Sequence, residues 1–217
     1  MGPVTDARST SPERSDDVRV IDTTALHALA HPLRIRLWDE LSMHGPATAT
    51  TLGRLVGESS GSTSYHLRQL AKHGFIEEDT ERGTARERWW RPTPGSSRLP
   101  MGEMRKSPAT RAALDIVVGE IRKLRGEHLE RWWATRDQWP DVWNEAAASS
   151  TSHLRLTPPE AKELARQVND VIIEWARLSE RRVQAGYVHE GDDPLGDVAI
   201  LFDAFPTGTA EGAAEEG

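Results

Sequence analysis

Between residues 22 and 92 the chain is cut at close intervals by proline and glycine, and that punctuation limits its fold more than any other feature. His31-Pro32, Gly45-Pro46, Gly57 and Gly74 leave room only for short helices. A first helix spans Thr23 to Ala30. Pro32 ends it and opens another, because proline suits a first helical turn and restricts the residue before it. In that second helix Leu33, Leu37 and Leu41, with Trp38 beside them, recur at helical spacing up to Gly45-Pro46. A third helix covers Thr48 to Val56, with Leu52, Leu55 and Val56 apolar and Gly57 as terminator. After the polar turn Glu58 to Gly61, a fourth runs from Ser62 to His73 and closes at Gly74. Two extended stretches, Phe75 to Thr80 and Arg86 to Arg91, flank Glu81-Arg82-Gly83-Thr84, and a glycine in a polar turn marks a hairpin tip. Helix, tight turn, helix, hairpin is the order of a winged helix-turn-helix.

The remainder divides by composition. Residues 1–20 are polar and aperiodic and read as a disordered arm. Residues 21–92 form the winged unit, the Pro- and Gly-rich residues 93–107 a linker, 108–205 a helical unit, and 206–217 a disordered acidic tail. The helical unit opens with a helix from Ala109 to Arg136, striped by Leu114, Val117, Val118, Ile121, Leu124 and Trp132. Trp139-Pro140 breaks it before Asp141 to Ala148. His153 to Thr157 is a short alternating segment. Thr157-Pro-Pro-Glu160 is a capping box that starts a second long helix, carrying Leu164, Val168, Val171, Ile172, Trp175 and Leu178 and ending near Gly186. Val198 to Phe205 reads as a terminal strand. The fold class is therefore mainly α with a small β-hairpin wing, joined to a helical C-terminal dimerisation or sensor domain.

The net charge of −7 argues at first against any polyanionic partner. It is a sum over unlike parts. Residues 19–110 carry 13 basic and 10 acidic groups, whereas residues 111–217 carry 12 and 20. A mildly basic module precedes an acidic one, so different partners are expected for each. Of the 27 cations 23 are arginine, which suits bidentate contacts but equally follows from GC-rich coding. The chain has no cysteine, which excludes disulfides and thiolate chemistry. No run is long and apolar enough for a membrane span, and the polar first residues show no secretory signal, so a cytoplasmic location is expected. Gly-rich phosphate loops, G-x-S-x-G and H-E-x-x-H are all missing; neither catalysis nor a cofactor is expected.

On a helical wheel Thr63, Leu67, Leu70 and Ala71 fall on one side of the Ser62–His73 helix, facing the core. Ser62, Tyr65, His66, Gln69, Lys72 and His73 lie opposite, and the helix has no carboxylate. A helix entering a major groove needs such a face, since its side chains bond base edges beside a polyanion. The hairpin tip adds Arg82, Arg86 and Arg88, long cations suited to phosphates or a minor groove, diluted by Glu81 and Glu87.

Leu29-Ala-His-Pro-Leu-Arg-Ile-Arg-Leu37 and Ser62-Thr-Ser-Tyr-His-Leu-Arg-Gln-Leu-Ala-Lys-His-Gly-Phe-Ile76 resemble two signatures of ArsR/SmtB-type winged-helix regulators. The resemblance spans Asp22 to Pro92. It implies a homodimeric transcription regulator, usually a repressor released by an effector, with Ser62, Ser64, Tyr65 and His66 on DNA. The wheel places Ser64 on the flank.

Many of those regulators sense metals through cysteines before the recognition helix or through His and carboxylates on the last helix. Here Ala49, Thr50 and Thr51 stand in the first place, and the long helix offers a single His128 among Asp115, Glu120, Glu127 and Glu130. No metal site is expected. Five of the eight Trp lie in the acidic unit. Trp132, Trp139, Trp143 and Trp175 fit either an apolar pocket for a small-molecule effector or plain packing of core and dimer interface. The expected partners are double-stranded DNA, a second copy of the chain and an apolar effector, with no membrane. A protein-binding adaptor without DNA and a metal-responsive repressor are the alternatives.

Overall fold

The computed structural model describes residues 18–83, 87–94, 96–184 and 195–207. Strand β1 is Val18–Val20, followed by helices α1 (Thr23–Leu29) and α2 (Pro32–His44), strand β2 (Ala47–Thr48) and helices α3 (Ala49–Val56) and α4 (Ser60–Lys72). Strands β3 (Ile76–Glu78), β4 (Trp89–Pro92) and β5 (Ser96–Arg98) come next. Helices α5 (Met101–Met104), α6 (Pro108–Thr135), α7 (Asp141–Ala146) and α8 (Pro158–Gln184) follow, with a 3-10 turn at Arg136–Gln138.

Helices α1 to α4 each begin at a side-chain cap that takes an otherwise orphaned N–H. Asp22 accepts from Ala25 at 2.7 Å, and the His31 imidazole accepts from Leu33 at 3.2 Å. Thr48 caps α3 through Thr51, and Ser59 caps α4 through Ser62. That last cap is why α4 starts at Ser60, before the expected Ser62. Gly57, at φ +75°, closes α3 in the left-handed conformation that glycine adopts freely.

The wing is a three-stranded antiparallel sheet in the order β2-β4-β3, with Ala47 opposite Trp90 and Glu77 opposite Arg91. The connection between α2 and α3 thus contributes a strand. β1 pairs in parallel with β5, so residues 18–20 and 93–107, read from sequence as arm and linker, both hold regular structure. Arg19 on β1 donates to the carbonyls of His73 and Gly74 at the end of α4. Its guanidinium also lies 4.9 Å over the Phe75 ring.

One core serves α1 to α6. Leu26, Leu29, Ile35, Leu37, Leu41, Leu52, Leu67, Leu70 and Ile76 are fully buried, and Leu114 and Val117 of α6 join them with Met104 of α5. The first half of α6 therefore belongs to the winged unit, packing on α1 and α2. Farther along, His128 Nε2 meets Asp39 Oδ2 of α2 at 2.8 Å.

The capping box at α8 forms: Glu160 accepts from the Thr157 N–H at 2.8 Å and from its hydroxyl at 2.7 Å. Bonds from Arg166 and Gln167 hold the Glu163 carboxyl down at about 2. The end near Gly186 lies outside the described residues. The expected strand Val198 to Phe205 is corrected: residues 195–207 contain no strand. A strand needs an edge to bond, and the edges here belong to the N-terminal sheets. Asp203 is instead held by Arg125 at 2.7 Å, while Val198, Ile200 and Phe205 are exposed. Among the described residues no helix is long and apolar enough to cross a membrane.

Candidate nucleic-acid interface

Helix α4 is set by its contacts with α3. A Cβ placed on Gly53 would stand 2.8 Å from the Glu58 carbonyl oxygen and 3.2 Å from Thr63 Oγ1, so only glycine lets the two helices approach this closely. Thr63, Leu67 and Leu70 are buried, and the Thr63 hydroxyl donates to the Ser59 carbonyl at 2.9 Å. The opposite line of α4 is Gly61, Tyr65, Arg68 and Lys72, all exposed. Ser62, Ser64, His66, Gln69 and His73 are half-buried on the two flanks.

Arg68 is the cation that the wheel missed. Centring the buried side on Leu67 and Leu70 puts Arg68 in the open, so the signal was present in the periodicity. Among the described residues Arg54, Arg68 and Lys72 have no carboxylate partner. This face has the charge and hydrogen-bonding capacity that base edges and phosphates require.

His66 is not a free reading residue. Its ring packs 4.5 Å from that of His31 and 5.2 Å edge-on from Tyr65, and its Nδ1 is buried without a hydrogen-bond partner. Burial first, then the charge of Arg34 for His31 and those of His31 and Arg34 for His66, pushes both imidazoles below their ordinary value of 6.5. The pair is therefore neutral at pH 7.

The wing carries less free charge than its arginines imply. Arg82 reaches Asp79, itself buried, at 3.5 Å. Arg88 faces Glu78 at 3.7 Å across the hairpin, and Arg91 pairs with Glu77 at 2.8 Å. Arg86 lies outside the described residues.

Two of the four Trp assigned to an effector are in ring contact with each other. Trp132 and Trp139 face each other at 5.8 Å, Trp143 lies against Gly196, and Trp175 is 60% exposed on α8. A shallow groove runs instead along Pro159, Glu160, Glu163, Leu164 and Gln167. Among the described residues no three His, Asp or Glu side chains gather as metal ligands do.

Comparison with known proteins bears on the domain that carries these residues. Residues 29–79 match the family model of a helix-turn-helix domain. Similar solved structures include reduced HlyU from Vibrio cholerae, at 18% identity over 33% of this chain and 74% of that one, with a TM-score of 0.29. The homodimeric winged helix-turn-helix DNA-binding domain of Mb0332 from Mycobacterium bovis, described as a possible ArsR-family transcriptional regulator, is 19% identical over 50% and 83%, with a TM-score of 0.30. The transcriptional regulator Tm0710 from Thermotoga maritima is 12% identical over 71% and 80%, with a TM-score of 0.28. No curated protein matches the chain. Residues 29–79 thus form a helix-turn-helix domain. The β3–β4 hairpin makes it a winged one, as in the ArsR-type transcriptional regulators whose motifs the chain resembles.

Proposed function

We propose that this protein is a homodimeric transcriptional repressor that reads a pseudo-palindromic operator through α4 and the wing. The observation that carries this reading is the open face of α4, where Tyr65, Arg68 and Lys72 stand exposed on a helix with no carboxylate. Ser62, Ser64 and Gln69 border that face and His66 buttresses it; the wing arginines Arg82, Arg86 and Arg88 would supply contacts to the flanking phosphates. Two copies would place their α4 helices in successive major grooves, with half-sites about one turn apart. The apolar faces of α6 and α8, with Ile116, Leu129, Val171 and Trp175 exposed, supply the surface for the second copy.

Release is controlled by the C-terminal unit in response to an apolar small molecule or another non-metal signal. The route available to it is α6, which shares the core of the winged unit and is tied to α2 through His128 and Asp39. A shift of α6 would then change the spacing of the two recognition helices.

Selection of bound duplexes from a random pool tests the reading, followed by affinity against salt. Specific binding that weakens steeply with salt is expected. Failure to retain any duplex, or binding by a monomer alone, refutes it. Trp fluorescence and melting temperature measured across a panel of apolar ligands test the release mechanism.

A further inference from the structure

We propose that Arg34 of α2, together with the imidazoles of His31 and His66, forms a phosphate-contact site that grips the DNA backbone beside α4. The proposal rests on the reading of this protein as a DNA binder and adds a contact from outside the recognition helix and wing.

Arg34 sits in the first turn of α2, half-buried. Among the described residues it has no hydrogen bond or ion pair, and its Nε is buried without a partner. A guanidinium N–H withdrawn from water with no acceptor is unfavourable, and an anion that reaches the group would complete it. The two imidazoles beside it are potential donors. His31 uses Nδ1 to accept from Leu33, so in the neutral ring the proton sits on Nε2 and can be donated. His66 lies 4.5 Å away ring to ring, and Tyr65, 53% exposed on the open face of α4, packs against His66.

The charged and titratable groups facing the pair are Arg34 from α2, Tyr65 from α4 and Glu58 from the α3–α4 turn. Glu58, the one carboxylate in that set, has the weakest influence on each imidazole. The cluster thus sets one guanidinium beside two imidazoles, adjacent to the exposed Tyr65. A phosphate strand edging the groove in which α4 lies would pass over it.

The site has a proton signature. In the free protein burial and Arg34 disfavour imidazolium. A phosphodiester placed among these groups reverses that preference, so binding takes up protons and tightens as the solution is acidified.

The test uses the full chain and a duplex selected by the wild type, with binding followed by fluorescence anisotropy against salt at pH 7.5 and pH 6. Wild type should bind more tightly at the lower pH. Arg34→Gln should weaken binding to all sequences alike and reduce the salt slope by about one per protomer, while Arg34→Lys keeps the slope. His66→Gln should flatten the pH response. An unchanged slope in folded Arg34→Gln overturns the proposal. If that variant does not fold, pH-independent affinity of the wild type overturns it. A wild type that binds no duplex defeats the DNA reading itself. Millimolar inorganic phosphate that shifts the His31 and His66 resonances as the duplex does would assign the site to free phosphate, against the proposal.

Discussion

Replacing Gly53 with alanine adds one methyl group at the point where α3 meets the turn before α4. That methyl would stand 2.8 Å from the Glu58 carbonyl oxygen, a backbone atom that cannot rotate away, and 3.2 Å from Thr63 Oγ1. Relieving such overlap costs about 1–3 kcal/mol. The movement that relieves it lengthens the 2.8 Å bond from the Glu58 N–H to the Gly53 carbonyl, a further loss of about 1 kcal/mol. Alanine returns about 1 kcal/mol through its helix propensity. The net loss is about 1–3 kcal/mol, and at about 4 °C per kcal/mol the melting temperature falls by about 4–12 °C. Gly119→Ala is the matched comparison. It lies inside α6 with nothing within 4 Å of its added Cβ, so propensity acts alone and raises stability by about 1 kcal/mol. Circular dichroism melts of the two variants beside wild type supply the measurement. A Gly53→Ala protein that melts at or above wild type would refute the claim that this glycine sets the α3–α4 approach.

Four further outcomes are expected. Arg68→Ala should lower affinity for operator and scrambled duplex together and reduce the salt slope by about one per protomer, whereas Gln69→Ala should alter base preference; parallel binding isotherms distinguish them. Glu77→Gln with Glu78→Gln frees Arg91 and Arg88 from their partners, so DNA affinity should rise severalfold, and an unchanged affinity would mean that the wing stays off the duplex. Because His31 and His66 are held below 6.5 in the folded chain, the unfolded chain binds more protons at acid pH. Their contribution to stability is complete above about pH 6.5 and is lost as pH falls below it; melts at pH 7.5 and 5.5 should show the drop, reduced in His66→Gln. Finally, His128→Gln removes the 2.8 Å link to Asp39 and should cost about 1–2 kcal/mol in urea denaturation.

The helices of the winged unit were legible because their ends are written in short-range chemistry. Asp22, Pro32, Thr48, Gly57 and Gly74 each act within a few residues of themselves, and a helix boundary lies near every one. The strands outside the hairpin were not legible. β1 and β2 are very short, and each exists only because a partner distant in the chain offers it an edge. The same limit produced the mistaken strand at Val198 to Phe205, where alternation was present and an edge was not. In the interface, periodicity separated Thr63, Leu67 and Leu70 from Tyr65. It could not reveal that His66 is occupied by His31, or that the wing arginines lean on Asp79, Glu78 and Glu77. Apart from Arg82 and Asp79, which are three residues apart, those contacts join residues brought together by α2 and by the β3–β4 pairing, and neither spacing nor composition reports them.

Arg19 gives the recognition helix a dependence that reaches beyond the helix-turn-helix segment. Residues 29–79 look like a portable cassette, yet the carbonyls that end α4 are satisfied by a guanidinium on β1, and β1 is held in place by β5. Leu114 and Val117 then close the core from α6. A fragment trimmed to the cassette, or a chimera that grafts it onto another regulator, would lose the fastening at one end and the floor at the other. The smallest transferable unit runs from β1 through the first half of α6, and any exchange of operator specificity by grafting has to carry all of it.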